Sequence, residues 1–256
     1  MKHPDLTLAI QDDIAIVRLM RAPKRNALSD GLILALRETF DNLPSTVRAA
    51  VIDGDGPHFC AGLDLSELKE RDAGQGIHHS RMWHAALERV QYGPVPVVAA
   101  LHGAVVGGGL ELASACHIRV ADASTFYALP EGSRGIFVGG GGSVRIPKLI
   151  GVARMTDMML TGRVYDAQEG ERVGFAQYLV PEGEAFAKAL ELARRMAENA
   201  PLTNYALMHA LPRIAEQPAD QGFFTEALIS SIAQSAPEAK TRLRDFLEGR
   251  AAKVSK

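Results

Sequence analysis

Cysteine is scarce in this sequence: Cys60 and Cys116 are the only two among its 256 residues. Two cysteines cannot build the framework of several disulfides that stabilises small secreted domains. Neither one lies in a catalytic-cysteine pattern. We therefore expect both to be small core residues of a protein that works in a reducing compartment.

Long apolar runs and runs of one charge are also missing. No stretch approaches the ~20 apolar residues that a helix needs to cross a bilayer, so no membrane partner is expected. The 28 Lys and Arg residues against 30 Asp and Glu residues give a formal charge of −2. Without a run rich in lysine or arginine, the sequence gives no reason to expect nucleic acid as a partner.

The opening residues, MKHPDLTLAIQDD, lack the apolar core of a secretory signal peptide. Their three aspartates also argue against a mitochondrial transit peptide. We therefore expect a cytoplasmic location. A chain of this length can bury a large core as one domain or as one domain with an appendage.

Glycine, by contrast, forms two clusters. The first, Gly107 to Gly109, lies between an apolar run at 95–101, which predicts a buried strand, and residues 110–116, which predict a helix. Glycine adopts backbone dihedrals closed to other residues and lets a ligand approach the unpaired N–H groups at a helix N-terminus. Such a turn can hold an anion or a developing oxyanion.

Each glycine cluster is accompanied by a glutamate in apolar surroundings. Glu111 lies in the first turn of the predicted helix, between Leu110 and Leu112; alternatively, it only complements the helix dipole. Glu131 precedes the second cluster, residues 139–142, which opens another predicted helix; alternatively, it is a surface carboxylate of a loop. Two carboxylates beside an oxyanion-type turn suit general acid and base chemistry on a carbonyl compound.

These motifs carry a resemblance to a known family. GGGLELA, AD, PEG and GGGGSVRIP follow one another in the order typical of the enoyl-CoA hydratase/isomerase (crotonase) superfamily. RAPKRNAL at 21–28, FCAGLDLSEL at 59–68 and LTGRVYDAQEGERVGFAQYLV at 160–180 are also similar to family motifs. The match extends over nearly the whole chain.

The resemblance implies an α/β fold with a crotonase-like ββα spiral core over residues 1–200. It implies a helical C-terminal region, 201–256, for oligomerisation and for completing the pocket of a neighbouring subunit. A homotrimer or a dimer of trimers is expected on the same ground.

The resemblance also assigns roles within the site. Glu111 and Glu131 would be the catalytic residues, and the backbone N–H groups of Leu63 and Gly108 would form the oxyanion hole. The residues expected to bind the acyl-CoA substrate are Lys24, Arg25, Ala27, Ala61, Leu63, Asp64, Leu65, Gly107 and Gly108. The resemblance requires no metal and no separate cofactor, since coenzyme A is part of the substrate. Lys24 and Arg25 could instead form a solvated basic turn.

The pair of glutamates favours a hydratase, which adds water to a 2-enoyl-CoA thioester to give a 3-hydroxyacyl-CoA. The alternatives are another crotonase-type enzyme, such as an enoyl-CoA isomerase, and a non-catalytic member of the family. Arg134 lies where many hydratases have apolar residues. It could point into solvent, keep Glu131 ionised, or favour a substrate with a distal polar group.

Outside the motifs, hydrophobic periodicity predicts the remaining elements. We expect a hairpin from 6–10 and 14–20, a helix capped at Ser29 or Asp30 that ends near Asn42, and a buried strand at 49–53. Four helices are expected at 184–199, 202–214, 222–234 and 238–249.

Four further expectations concern residues 64–90. Asp64 with Glu67 resembles a capping box and predicts a helix start, and 71–77 is interpreted as a mobile loop. Met82, Trp83, Ala86, Leu87 and Val90 form a helical stripe that is expected to pack the core. Three nearby histidines are expected to be exposed or packing residues because no carboxylate or cysteine lies at zinc-binding spacing; these are His78, His79 and His84.

Overall fold

The computed structural model describes residues 3–67 and 70–250, and it consists of two compact units divided between Met196 and Ala197. The first unit contains two β-sheets with helices, and the second is helical. The predicted α/β class is therefore confirmed.

A six-stranded sheet organises the first unit. Its first two strands form the predicted antiparallel hairpin, and every later neighbour pairs in parallel. The strands, in spatial order, are β1 (Leu6–Gln11), β2 (Ile14–Leu19), β3 (Ala49–Gly54), β4 (Val97–Leu101), β6 (Ile118–Asp122) and β9 (Tyr178–Val180). All residues of β3 and β4 are buried, as expected for parallel strands covered on both faces.

Two helices from the N-terminal half pack against each other and against the core, α1 (Asp30–Asp41) and α2 (Ala73–Gln91). The hydroxyl of Ser29 accepts the Leu32 N–H at 3.1 Å and caps α1, which is one of the two predicted caps. The stripe on α2 is buried as predicted, except that Met82 is only partly buried.

The prediction of a mobile loop at 71–77 is wrong, because α2 already begins at Ala73. The Asp72 carboxylate accepts the Gln75 N–H at 2.8 Å, and the Gln75 side chain accepts the Asp72 N–H at 3.2 Å. This capping box satisfies two backbone donors at the helix start. It therefore establishes the helix in spite of the glycines that suggested a loop.

The helix start predicted after Asp64 is a single 3₁₀ turn, Leu65–Glu67. The Asp64 carboxylate accepts the N–H of Ser66 at 2.9 Å and its hydroxyl at 2.7 Å. The Glu67 side chain, the other half of the predicted capping box, lies outside the described residues. The carboxylate thus caps the turn through Ser66.

A second, three-stranded sheet consists of β5 (Ala104–Val106), β7 (Phe126–Ala128) and β8 (Tyr165–Asp166). Strand β5 has only three residues and was absent from the sequence prediction. The predicted glycine-led helices are confirmed as α3 (Gly108–Ala115) and α4 (Gly142–Ile150). The remaining helices of this unit are α5 (Val152–Thr161), α6 (Ala167–Val173) and α7 (Ala185–Ala197).

The second unit follows the predicted helical pattern. The segment predicted at 202–214 contains α8 (Pro201–Tyr205), a π-helical turn (Ala206–Ala210) and α9 (Leu211–Ile214). It is followed by α10 (Ala219–Ser235) and α11 (Pro237–Leu247). Helices α8 and α11 begin with proline, whose missing N–H costs nothing in the first turn. The roles predicted for this unit in trimer formation and pocket completion stay predictions.

The structure also bears on the cysteines and on the length and polarity of the helices. Cys60 and Cys116 are free, buried core residues as predicted, and burial raises the pKa of each thiol to about 12. None of the helices within 3–67 and 70–250 is long and apolar enough to span a bilayer.

Two helical glycines give opposite predictions for stability. A Cβ on Gly170 of α6 would lie 2.2 Å from Cε2 of Tyr127, whereas a Cβ on Gly76 of α2 would meet no atom within 4 Å. Gly170→Ala should destabilise the first unit by about 1–3 kcal/mol through overpacking. Gly76→Ala should stabilise it by about 0.4–1 kcal/mol through the unfolded state. Thermal-unfolding midpoints of the two variants and the parent measure both effects; equal midpoints for the two variants would contradict the packing described here.

Candidate active site

One cavity in the first unit, with a volume of about 370 Å³, brings the predicted oxyanion-hole residues together with both glutamates. One wall comes from α2 and from Leu63, and another from the segment before α4. The lining residues are Leu63, Arg71, Gly76, His79, Ser80, Trp83, Gly108, Glu111, Glu131, Ile136, Phe137, Val138, Gly139 and Gly140.

The oxyanion-hole candidates are the backbone N–H groups of Leu63 and Gly108. Leu28 pairs with the chain on either side of Leu63, since its N–H donates to Gly62 and its carbonyl accepts from Asp64. The N–H of Leu63 therefore faces away from Leu28. Gly108 is the first residue of α3, where a helix leaves its N–H groups without intrahelical acceptors. Within the described ranges, neither N–H has a hydrogen-bond acceptor.

Glycine keeps the space between these two N–H groups open. A Cβ on Gly108 would lie 3.5 Å from the Leu63 nitrogen and 3.1 Å from Cζ3 of Trp83. Gly107, just before it, has φ 52° and ψ −122°, a conformation that other residues avoid. A Cβ on Gly107 would lie 2.7 Å from Oε1 of Glu131. The first glycine cluster thus leaves room both for a ligand oxygen and for a carboxylate.

Glu111 lies in the first turn of α3 and is 4% exposed. Its Oε1 accepts the N–H groups of Gly140 and Gly142, each at 2.8 Å. Burial raises the pKa of Glu111, although these two N–H groups and the Arg145 charge act in the opposite direction. The second glycine cluster therefore holds the carboxylate of the first, which is more than complementing the helix dipole.

Arg145 of α4 stabilises the second glycine cluster through hydrogen bonds. One of its guanidinium N–H groups donates to the Gly140 carbonyl at 2.9 Å, and its Nε donates to Oε1 of Gln91 at 2.6 Å. The buried Arg145 thereby holds the carbonyl of Gly140, the residue whose N–H binds Glu111. The sequence analysis did not identify this arginine.

Glu131 is 8% exposed, so the alternative of a surface loop carboxylate is wrong. Among the described residues, its Oε2 has no hydrogen-bond partner. Burial raises the pKa of Glu131, the nearby Glu111 acts in the same direction, and Arg134 acts in the opposite one. Arg134 is exposed on the 3₁₀ turn Gly132–Arg134, in agreement with its interpretation as a solvent-facing residue.

Apart from Gly107 and Gly108, the residues predicted to bind the acyl-CoA substrate lie on two adjoining segments, 24–28 and 61–65. The Ala61 N–H donates to the Arg25 carbonyl at 2.9 Å and joins them. The Asp64 carboxylate is bound by Ser66 and by Arg21, 2.6 Å away, and these partners lower its pKa well below the usual range. Lys24 Nζ lies 3.6 Å from the same carboxylate on a half-exposed side chain. Ala27 is buried and Leu65 is exposed. Coenzyme A binding by this set stays a prediction.

Sequence reasoning missed the wall formed by α2. His79, expected to be exposed or to pack, lines the cavity, and its Nε2 lies 2.7 Å from Oδ1 of Asp30. Trp83 is a core residue as predicted, but it also lines the cavity and donates its Nε1–H to the same oxygen at 3.1 Å. The helical spacing of Gly76, His79 and Trp83 could have revealed this face, but residues 71–77 were interpreted as a loop.

Comparison with known proteins identifies the family. The family model described as enoyl-CoA hydratase/isomerase matches residues 9–255. The mitochondrial methylglutaconyl-CoA hydratase of Rattus norvegicus is 33% identical over 92% of this chain and 75% of its own. The enoyl-CoA hydratase EchA19 of Mycobacterium tuberculosis is 28% identical over 97% of this chain and 95% of its own.

Solved structures give the same result. A crystal structure from Rhodopseudomonas palustris, assigned provisionally as an enoyl-CoA hydratase, is 59% identical with a TM-score of 0.94, over 98% of this chain and 97% of its own. The chain belongs to the enoyl-CoA hydratase/isomerase family, within the crotonase superfamily. The predicted crotonase-like fold class is thereby confirmed.

The buried state of Glu131 predicts a dependence of stability on pH. Because its pKa is raised, the folded protein keeps a proton that the unfolded chain has already lost, so this group's contribution to stability falls as the pH rises. Glu131→Gln cannot ionise and avoids that loss. The thermal-unfolding midpoint of Glu131→Gln should therefore exceed that of the parent at roughly pH 8, and the difference should shrink near about pH 4.

Glu171→Gln is the matched control, since Glu171 is exposed on α6. It removes the same charge and should leave the midpoint nearly unchanged at either pH. A parent that is as stable as Glu131→Gln at the higher pH would contradict the assignment of a costly buried carboxylate.

Proposed function

We propose that this protein is a 2-enoyl-CoA hydratase, which adds water across the Cα=Cβ bond of a 2-enoyl-CoA thioester. The observation that carries the proposal is a single cavity that combines two buried glutamates with two backbone N–H groups lacking acceptors among the described residues. Membership of the enoyl-CoA hydratase/isomerase family and the hydratase names of several relatives support it.

In the proposed reaction, the thioester carbonyl oxygen lies between the N–H groups of Leu63 and Gly108. Attack of water at Cβ moves the electron pair of the double bond to the carbonyl and produces an enolate-like oxyanion. A preorganised donor aimed at such an oxygen is typically worth about 3 kcal/mol of the barrier. Both donors are held by backbone geometry, so little reorganisation accompanies the appearance of the charge.

The two glutamates differ in their surroundings, and this difference suggests how they share the proton transfers. Glu111 accepts two N–H groups at one oxygen, which leaves the other oxygen to orient the attacking water and take its proton. Glu131 has a buried oxygen without a partner in the described structure and a raised pKa, which suits the proton donor to Cα. Glu111 gains a proton and Glu131 loses one in this reaction. Because the charge of Glu111 raises the pKa of Glu131, the two ionisations are coupled.

The remaining finer expectations belong to the same proposal. Coenzyme A enters as part of the substrate, along the segments 24–28 and 61–65. Self-assembly into trimers or stacked trimers, with the second unit at the contacts, is part of the proposal and is supported by the family resemblance alone.

The test is hydration of crotonyl-CoA, followed as loss of the ultraviolet absorbance of the enoyl thioester. Glu111→Gln and Glu131→Gln should each reduce kcat by roughly 10²- to 10⁴-fold, because each removes an acid or base from the reaction. Glu171→Gln should retain the activity of the parent. Mass spectrometry in ¹⁸O-labelled water should show one labelled oxygen in the product.

An enoyl-CoA isomerase would convert a 3-enoyl-CoA into a 2-enoyl-CoA without taking up the label. That result, without hydration, would favour the isomerase alternative. Hydration that is unaffected by either glutamine substitution would contradict the roles given to the glutamates. Binding of acyl-CoA without turnover of either substrate would favour a non-catalytic member of the family.

A further inference from the structure

Arg71 stands out among the residues that line the cavity. Its side chain is only 23% exposed, yet within the described ranges it donates no hydrogen bond to any protein atom. Its guanidinium forms an ion pair with Asp30, in which a terminal nitrogen lies 3.8 Å from Oδ2. This distance is too long for a hydrogen bond. A guanidinium has five N–H donors, so this long ion pair with Asp30 leaves donors of Arg71 available to a ligand.

Asp30 binds two other side chains of this wall through its second carboxylate oxygen. Its Oδ1 lies 2.7 Å from His79 Nε2 and 3.1 Å from Trp83 Nε1. These contacts fix the position of Asp30 between the two α2 side chains. Arg71 is therefore attracted towards this wall by charge while its own donors stay available.

The charge of the lining gives Arg71 a distinct character. Two carboxylates, Glu111 and Glu131, face the cavity, and Arg71 is the single arginine or lysine in its described lining. The three residues that precede the second glycine cluster, Ile136 to Val138, add an apolar surface. An acyl chain could pass along this surface, but a purely hydrocarbon chain would offer no hydrogen-bond acceptor to the guanidinium.

We propose that the preferred acyl group bears a carboxylate at the end remote from the thioester, and that Arg71 binds this carboxylate. This inference rests on the proposed function, since it places an acyl-CoA thioester in the cavity. Carboxylates pair with guanidinium groups through two parallel N–H···O bonds. The phosphates of coenzyme A share this chemistry, so the experiment must separate a contact with the acyl end from a contact with the coenzyme.

Binding of saturated thioesters provides that separation, because a saturated chain cannot be hydrated. Adipyl-CoA and hexanoyl-CoA have chains of equal length and the same coenzyme, and they differ in a terminal carboxylate against a methyl group. Isothermal titration calorimetry at one fixed ionic strength should show that the parent binds adipyl-CoA roughly 10- to 100-fold more tightly, the range expected for a charge-assisted hydrogen bond.

Arg71→Gln should abolish this preference by weakening adipyl-CoA and leaving hexanoyl-CoA nearly unchanged. Arg71→Lys, which keeps the charge but not the paired donors, should keep part of the preference. Arg37→Gln is the matched control, since Arg37 is half-exposed on α1, 3.5 Å from Asp41, and does not line the cavity. It should keep the full preference. Thermal unfolding of each variant checks that it is folded.

Three results would overturn the proposal. The parent could bind the two thioesters equally, or Arg71→Gln could weaken both equally, which would assign Arg71 to the coenzyme. The Arg37→Gln control could lose the preference as well, which would indicate a general effect of net charge. Crotonyl-CoA hydration is measured in parallel: its absence with an intact binding preference would reject the proposed hydratase activity and leave the Arg71 site standing.

Discussion

The burial of two carboxylates in one cavity is the constraint on which much of this structure depends. An isolated ionised carboxylate is costly in a protein interior, and its usual responses are a raised pKa or a set of hydrogen bonds. Glu111 shows both, because two N–H groups of the second glycine cluster point at one of its oxygens. The glycine clusters, the start of α4 and the buried Arg145 can all be understood as parts that make this burial possible.

The backbone performs much of the recognition in this cavity. Gly107, Gly108, Gly140 and Gly142 all lie so close to a glutamate, to Trp83 or to the Leu63 N–H that a Cβ would crowd the neighbour. A larger residue at any of these positions would therefore force its neighbour to shift, and at Gly107 it would also strain the backbone. Because the donors belong to the main chain, their directions are set by the bridge between Leu63 and Leu28 and by the starts of α3 and α4 rather than by side-chain rotamers.

The sequence predicted the parts of the site that follow from local patterns. The glycine clusters indicated both helix starts, and the apolar neighbours of Glu111 indicated its burial. The wall formed by α2 could not be predicted, since the capping box at Asp72 and Gln75 was overlooked and the two following glycines suggested a loop. The pairing of Asp30 with His79 joins residues 49 positions apart, and hydrophobic periodicity contains no information on such a contact. Strand β5, three residues long, is too short for periodicity to reveal.

Trp83 has a consequence for how this molecule can be observed. It is the single tryptophan of the whole sequence, and its indole lies against Gly108 in the cavity wall while its ring N–H is held by Asp30. Its fluorescence therefore originates from one fixed place, next to the proposed oxyanion hole. The indole emission of the protein is thus an optical signal from the cavity itself, free of background from any other indole in the chain.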